Sequence, residues 1–338
     1  MGNNAQITPK NLLISRTDSI GDVMLTLPIT SWIKTQFPSC KITFLCKDYT
    51  APLVSMYAHV DEILSWDSIQ QMDLKSQIKA IAAYQFDSVI HVFPRKEIAT
   101  LMKQVKIPTR IGTSHRLFHF FTCNEKVHFT RKNSPLHEAQ LNFELLRPFG
   151  LQEIPPLADI NNYTTIFKIP TVELPDFLNP LKATKYVVLH PKSQGSAKEW
   201  PIEKYTQLAK YLSETGITVV FTGTEKEGQL FRNQLPKSNN IFDSSGRLSI
   251  QQLCLLIQHA FALVACSTGP LHIAGYSGIR TIGLFSPKKP IHPGRWMPLG
   301  KHVHTLVLNE NCSNCQSGKP CDCISEIPVE QVFNEITK

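Results

Sequence analysis

Four short stretches of this 338-residue chain bring together side chains able to do chemistry. The first is LLISRTDSIGDVMLTLP, residues 12–28, where an apolar run ends in a polar turn carrying Arg16, Asp18 and the pair Gly21-Asp22. A carboxylate in such a turn either caps the helix that follows or accepts a proton from a substrate hydroxyl. The turn lacks both G-x-G-x-x-G and G-x-x-x-x-G-K-[ST], so it is neither of the usual phosphate cradles. The second stretch is VACSTGPLHIAG, residues 264–275. A strand ends at Cys266, Pro270 suits the first turn of a helix, and His272 lies one turn in. The N–H groups of Ser267, Thr268 and Gly269, with the helix dipole behind them, form an anion site, although an ordinary capped helix uses the same residues.

The third stretch, HPKSQGSAKEWP (190–201), offers Lys192, Ser193 and Lys198 either to a phosphate or to water, with Trp200-Pro201 anchoring the next helix. Glu225 and Glu227, after the strand VVFTG, stand where α/β proteins often hold a ribose hydroxyl. The fourth, CSNCQSGKPCDC, holds Cys312, Cys315, Cys321 and Cys323. A C-x-x-C followed by C-x-C fits a structural zinc or iron site, and equally a loop of reduced thiols. The first three stretches combine into one chemistry. A nucleotide diphosphate in one half of the chain with a carboxylate opposite is what sugar transfer needs: the acid takes the acceptor's proton, and the helix end and lysine stabilise the departing diphosphate.

Positioning these groups requires strands that end at each turn. NLLIS (11–15), KITFLC (41–46) and SVIHVF (88–93) read as strands alternating with amphipathic helices, with Pro28 expected to kink the first helix. PLHEAQLNFELLRPFGLQ (135–152) reads as one helix ending at Gly150. A Pro-rich passage from Pro155 to about Lys182 reads as a domain boundary plus a linking strand. The alternation then restarts with strands KYVVLH (185–190), ITVVFTG (217–223), FALVAC (261–266) and RTIGLFS (280–286). Helices are expected at PIEKYTQLAKYLSETG (201–216), at SIQQLCLLIQHA (249–260) with Ser249 as N-cap, and at IPVEQVFNEI (327–336). Repeated β-α-β units predict an α/β fold of two doubly wound domains with parallel sheets facing a central cleft. Their expected bounds are residues 1–165 and 183–325, with a C-terminal helix in 326–338.

The totals exclude other classes. The sequence is 42% hydrophobic and 18% charged, and no apolar run approaches the ~18 residues needed to span a bilayer. MGNNAQITPK lacks the apolar core of a secretory signal, so a cytoplasmic location with mostly reduced cysteines is expected. The net charge of +8 is shared almost evenly between the halves. The local exception is 95–132, where nine Lys or Arg face only Glu97 and Glu125. That stretch reads either as a solvated surface or as a patch for a phosphorylated lipid, a membrane surface or nucleic acid. No RNA-binding or helix-turn-helix signature accompanies it, and no nucleic-acid partner is expected.

The segments SIGDVMLTLP, FPSCKITFL, FDSVIHV with RIG, HEAQLNFELLRPFG, HPKSQGSAKEWP, and STGPLHIAG with IGLFSP, in that order, resemble glycosyltransferase family 9, the lipopolysaccharide heptosyltransferases, along nearly the whole chain. The resemblance implies the GT-B fold of two Rossmann-like domains. It also implies inverting transfer of heptose from ADP-heptose to a phosphorylated, lipid-linked inner-core acceptor, without a catalytic metal or cofactor and with peripheral contact at the inner membrane. It makes Asp22 the general base and Lys198 a phosphate ligand. Lys192, Ser193, Glu227, Leu248, Ser267, Thr268, Gly269, Pro270 and His272 then fall on the donor side, with ribose or adenine near Glu227 and Leu248. Arg16, Arg95, Arg110 and Arg116 fall on the acceptor side. Two departures stand out: Ser267 replaces the family's usual Asp before T/S-G, and the LFSPKKPIHPGRWMPLG segment (284–300), with Lys288, Lys289, His292 and Arg295, is more basic than the usual run. Other readings are a family 9 enzyme with a different donor or acceptor, a sugar-nucleotide hydrolase or epimerase, and a protein that only binds sugar nucleotides.

Overall fold

A computed structural model of the chain describes residues 7–131, 134–195 and 197–338. Residues 1–6, Lys132 at the end of the basic stretch and Ser196 in the third stretch lie outside the described residues. The chain divides into two units, Met1–Lys168 and Ile169–Lys338.

The first unit is built on strands β1 (Asn11–Ser15), β2 (Lys41–Cys46), β3 (Glu62–Ser65), β4 (Ser88–His91), β5 (Thr109–Thr113) and β6 (Glu125–Val127). They form one sheet in the order β3-β2-β1-β4-β5-β6, every pair parallel. The second unit repeats the plan with β7 (Tyr186–His190), β8 (Thr218–Phe221), β9 (Ile241–Asp243), β10 (Ala262–Cys266), β11 (Arg280–Leu284) and β12 (Val303–Leu306). Its order is β12-β11-β10-β7-β8-β9, again all parallel. Both are the doubly wound Rossmann arrangement, in which the strand order reverses beside the first strand. The central strands are apolar because helices cover both faces: Leu12, Leu13 and Ile14 are fully buried, as are Val187, Val188 and Leu189. The reversal points, β1 beside β4 and β7 beside β10, are where loops diverge and open a crevice for ligands.

Several elements depart from the sequence expectation. Pro28 breaks the first helix rather than kinking it: one helix covers Ile20–Met24 and a second, Pro28–Gln36, starts with Pro28 in its first turn, where a missing N–H costs nothing. The expected long helix is shorter, Glu138–Phe143, and continues as a 3₁₀ segment, Glu144–Phe149, that contains Pro148 and stops at Gly150 with φ 95°. Between Pro155 and Lys182 there is no strand among the described residues. That passage holds the helix Leu157–Asn162 and the 3₁₀ turns Tyr163–Ile166 and Asp176–Ala183, with one isolated bridge between Tyr57 and Phe167.

Ser249 caps the helix Ile250–Gln258 as expected, its hydroxyl accepting from the Gln252 N–H at 3.2 Å while the Gln252 side chain accepts from the Ser249 N–H. The final helix, Val329–Thr337, sinks Val332 and Ile336 into the core of the second unit beside Trp200, Tyr205 and Leu212. Among the described residues no helix is long and apolar enough to cross a membrane.

Candidate active site

In the first unit the chemistry gathers around Arg16, immediately after β1. Its guanidinium is 3% exposed, and its Nε donates to Asp18 Oδ1 at 2.7 Å. Its Nη2 donates to Asp22 Oδ1, and Nη1 lies 3.9 Å from Glu138 Oε1. Ser19, the residue preceding the helix, makes no side-chain cap; its hydroxyl donates instead to the other Asp22 oxygen. The carboxylate of Asp22 therefore does not cap its helix. It is aimed at a cation and a hydroxyl beside the end of β1.

Glu138, also buried, takes a bond from Arg131 Nε at 2.9 Å. Asn142, one turn on, accepts from Arg131 Nη2 and donates to the Leu25 carbonyl at 3.0 Å. The helix Glu138–Phe143 thus props the Asp22 helix from behind. Burial pushes the Asp18 carboxyl up to about 6, with Asp22 adding to the push and Arg16 opposing it. For Arg16 itself burial works against the charge, but three carboxylates outweigh it and keep the guanidinium protonated at any ordinary pH.

The other arginines expected on an acceptor side, Arg95, Arg110 and Arg116, stand in three different situations. Arg95 pairs with Glu97 at 2.6 Å, and Phe93 lies within cation–π reach of both Arg95 and Arg16, 5.9 Å from each. Arg110 is spent on the framework, donating to the carbonyls of Thr122 at 2.7 Å and of Ile107. Arg116 is exposed beside Leu117, Phe120 and Phe121, whose side chains are 77%, 55% and 69% exposed.

In the second unit three loops emerge at the carboxyl ends of β7, β8 and β10. After β7, Glu199 organises the turn: it accepts from Lys192 Nζ at 2.9 Å and from the Ser193 N–H and hydroxyl at 2.8 and 2.9 Å. Burial alone would raise the Glu199 carboxyl, but these donors together hold it below its usual range. Lys198 Nζ donates to the Cys321 carbonyl at 2.7 Å. The Trp200 N–H reaches Cys266 Sγ at 3.3 Å, tying this loop to the end of β10.

After β8, Glu227 completes a capping box, accepting from the Thr224 N–H at 2.7 Å while its own N–H donates to Thr224 Oγ1. Glu225 is paired with Arg232. Leu248 is partly exposed in the loop between β9 and the helix Ile250–Gln258. After β10, Thr268 is the residue preceding the nine-residue helix Gly269–Ser277; Pro270 stands in its first turn and His272 is buried one turn in. Thr268 makes no cap bond, and its buried Oγ1 has no hydrogen-bond partner among the described residues. Such an orphaned hydroxyl at a helix start is a position for a ligand oxygen. Ser267 is partly buried next to it.

Sequence reasoning named Asp22, Lys198 and Thr268 but missed the groups that hold Arg16, Lys192 and Lys198 in place. Glu138, Arg131 and Phe93 act on the first site, while Glu199 and the Cys321 carbonyl act on the second. Glu199 sits in the quoted K-E-W-P run and was visible as the carboxylate directly after Lys198. The others approach from more than a hundred residues away or, in Phe93, look like the end of a strand. The four C-terminal cysteines do come together, their sulfurs all within 4.8 Å of one another, a set able to hold a metal ion. The Cys315 N–H and the neighbouring thiols draw the Cys312 thiol down to about 6.

A putative glycosyltransferase of Haemophilus influenzae is 27% identical to this chain over 308 residues, covering 87% of this chain and 88% of that protein. Lipopolysaccharide heptosyltransferase 3 of Escherichia coli is 24% identical over 298 residues, covering 84% of this chain and 83% of that protein. The E. coli heptosyltransferase WaaC, solved with ADP, superposes with a TM-score of 0.71 at 19% identity over 97% of this chain and 99% of its own, so the fold is GT-B, two Rossmann-like domains. Residues 74–324, well over half of the sequence, match the profile of glycosyltransferase family 9 (heptosyltransferase), and the chain belongs to that family.

Proposed function

We propose that the chain is an inverting heptosyltransferase that moves heptose from ADP-heptose to a phosphorylated inner-core acceptor of lipopolysaccharide. The observation that carries this reading is the agreement between family membership and the second unit's anion site: an orphaned Thr268 hydroxyl at the start of Gly269–Ser277, with lysines on the neighbouring loop. Relatives named as lipopolysaccharide heptosyltransferases span more than four fifths of the chain, and one solved neighbour was determined with ADP.

In the proposed reaction Asp22 accepts the acceptor hydroxyl's proton as that oxygen attacks the anomeric carbon, and the bond to the diphosphate breaks on the opposite face. The N–H groups at Ser267–Gly269 and the helix dipole take up charge growing on the leaving diphosphate. Lys198 uses one of its three ammonium hydrogens on the Cys321 carbonyl and keeps two for phosphate oxygens. Lys192, Ser193, Pro270 and His272 line the same side, with Glu227 and Leu248 toward ribose and adenine. Arg95 and Arg116 meet the acceptor's phosphates, while Arg16, buried among Asp18, Asp22 and Glu138, orients Asp22 instead of touching the acceptor, and the anchored guanidinium of Arg110 supports that face from within. The exposed Leu117, Phe120 and Phe121 beside Arg116 suit contact with the cytoplasmic leaflet of the inner membrane. The cysteine group serves the framework in this reading.

Ser267, in place of the family's usual acid, removes a charge beside the donor and favours a second reading, a family 9 transferase with another nucleotide sugar. Nucleotide release from a panel of sugar nucleotides, with and without a truncated phosphorylated core, separates the two. Acceptor-dependent release from ADP-heptose alone is expected. Acceptor-dependent release from another donor instead moves the chain out of the heptosyltransferases, and release without acceptor makes it a hydrolase.

A further inference from the structure

The cysteine group does more than close a loop. Cys312 precedes a single helical turn, Ser313–Gln316, that contains Cys315, and Cys321 and Cys323 follow in the loop beyond it. The Cys312 and Cys321 sulfurs are 3.4 Å apart, those of Cys321 and Cys323 2.9 Å, and the Cys323 N–H donates to Cys321 Sγ at 3.3 Å. A tetrahedral thiolate site with metal–sulfur bonds of about 2.3 Å places its sulfurs about 3.8 Å apart, within easy adjustment of this cluster. Backbone N–H donation to a sulfur is the orienting bond such a site uses. Cys315 and Cys323 are buried while Cys312 and Cys321 are partly exposed, which leaves the group enclosed on one side and reachable from the other.

Two bonds join this group to the second unit's loops, and a third ties the chain just after it. Lys198 Nζ donates to the Cys321 carbonyl at 2.7 Å, and Ser286, in the loop after β11, lies 3.4 Å through its hydroxyl from Cys315 Sγ. Just downstream, the Ile327 carbonyl accepts from Trp200 Nε1 at 3.0 Å. The main chain at Cys321 is thus the fixed point that sets where the Lys198 ammonium stands.

We propose that Cys312, Cys315, Cys321 and Cys323 hold one tetrahedral thiolate-bound metal ion, Zn²⁺ or Fe²⁺, and that the bound ion fixes the Cys321 carbonyl and through it Lys198. The role of Lys198 toward a donor phosphate rests on the function proposed above; the ion and its grip on the 197–201 loop do not. Lys198 is here a group positioned by the site, not a ligand of it.

The full chain, purified without chelator, is assayed for metal by elemental analysis, with visible absorbance separating iron from zinc. About one ion per chain is expected. Less than about a tenth of an ion per chain, with failure of the chain to take up Co²⁺ with thiolate charge-transfer bands, overturns the site. So does a disulfide within the group in protein prepared under reducing conditions. Hydrogen exchange of the 197–201 backbone is then compared in loaded and metal-stripped protein. A rise of roughly tenfold on stripping is expected, with little change in residues 11–46 of the first unit. Unchanged exchange overturns the link to Lys198. Lys198→Met should keep its metal and lose most of the difference between loaded and stripped loop, whereas loss of metal from that variant contradicts the assignment of Lys198 outside the ligand set. None of these readouts uses sugar transfer, so a chain that moves no heptose leaves all of them decisive.

Discussion

Asp22 and Asp18 share one guanidinium, yet their surroundings give them different work. Asp22 is held by Arg16 and Ser19 on opposite oxygens, a fixed carboxylate suited to receiving one proton in one direction. Asp22→Asn keeps the shape and removes the proton acceptor. ADP affinity measured by calorimetry should stay within about twofold while transfer falls by roughly 10²–10⁴. Transfer at the wild-type rate would show that another group is the base. Asp18, on the Nε of the same guanidinium, has its carboxyl raised by burial to about 6 from an ordinary 3.8. Because the folded state favours the protonated form, the stability this group contributes is complete below about pH 4 and is lost as pH rises through about 6. Relative to wild type, Asp18→Asn should therefore gain stability between pH 5 and pH 8 in denaturant melts. A difference that stays flat across that window would mean Asp18 does not titrate there.

The elements that carry these residues were legible where burial writes a pattern. NLLIS and KITFLC match β1 and β2 residue for residue, because strands covered on both faces must be apolar throughout. The edge strands were not legible. β3 is EILS, β6 is EKV and β9 is IFD, each short and half-buried, with no alternation long enough to read. The candidate sites followed the same logic. Turns after central strands were visible, whereas Glu138 meeting Arg16 and Cys321 meeting Lys198 are tertiary contacts that no local spacing encodes.

One element-level feature can be tested directly. Gly275, in the helix Gly269–Ser277, passes so close to the Leu299 carbonyl that a Cβ there would collide with backbone, which cannot swing aside. Gly275→Ala should cost about 1–3 kcal/mol in urea unfolding, and should weaken ADP binding by shifting the helix start at Thr268. Wild-type stability in that variant would mean the helix and the 298–300 loop are not locked together.

At the scale of the molecule, two units of nearly equal net charge repeat one Rossmann plan, and basic side chains concentrate in one stretch. The described part of the basic stretch, 95–131, lies in the first unit, and its exposed apolar residues sit in the turn carrying Arg116. If that face meets lipid, the full chain should co-sediment with vesicles containing anionic phospholipid and much less with neutral ones. Raising salt to about 0.5 M should weaken the contact severalfold. Leu117→Ser with Phe121→Ser should reduce it at low salt too. Equal sedimentation of that double variant and the wild type would move the contact elsewhere, and no sedimentation of either would remove the membrane from the reading.

The second unit's core is closed by its last helix, with Val332 and Ile336 fully buried against Trp200 and Leu212. During synthesis this imposes an order on the two halves. The first unit has all of its sheet once residue 127 is out, and it can settle while the ribosome is still translating the second. The second has its last strand at 306 but still lacks the apolar ridge that covers it until residues 329–337 emerge. Nascent chains stalled before that point should carry one folded half and one half exposed to chaperones and proteases.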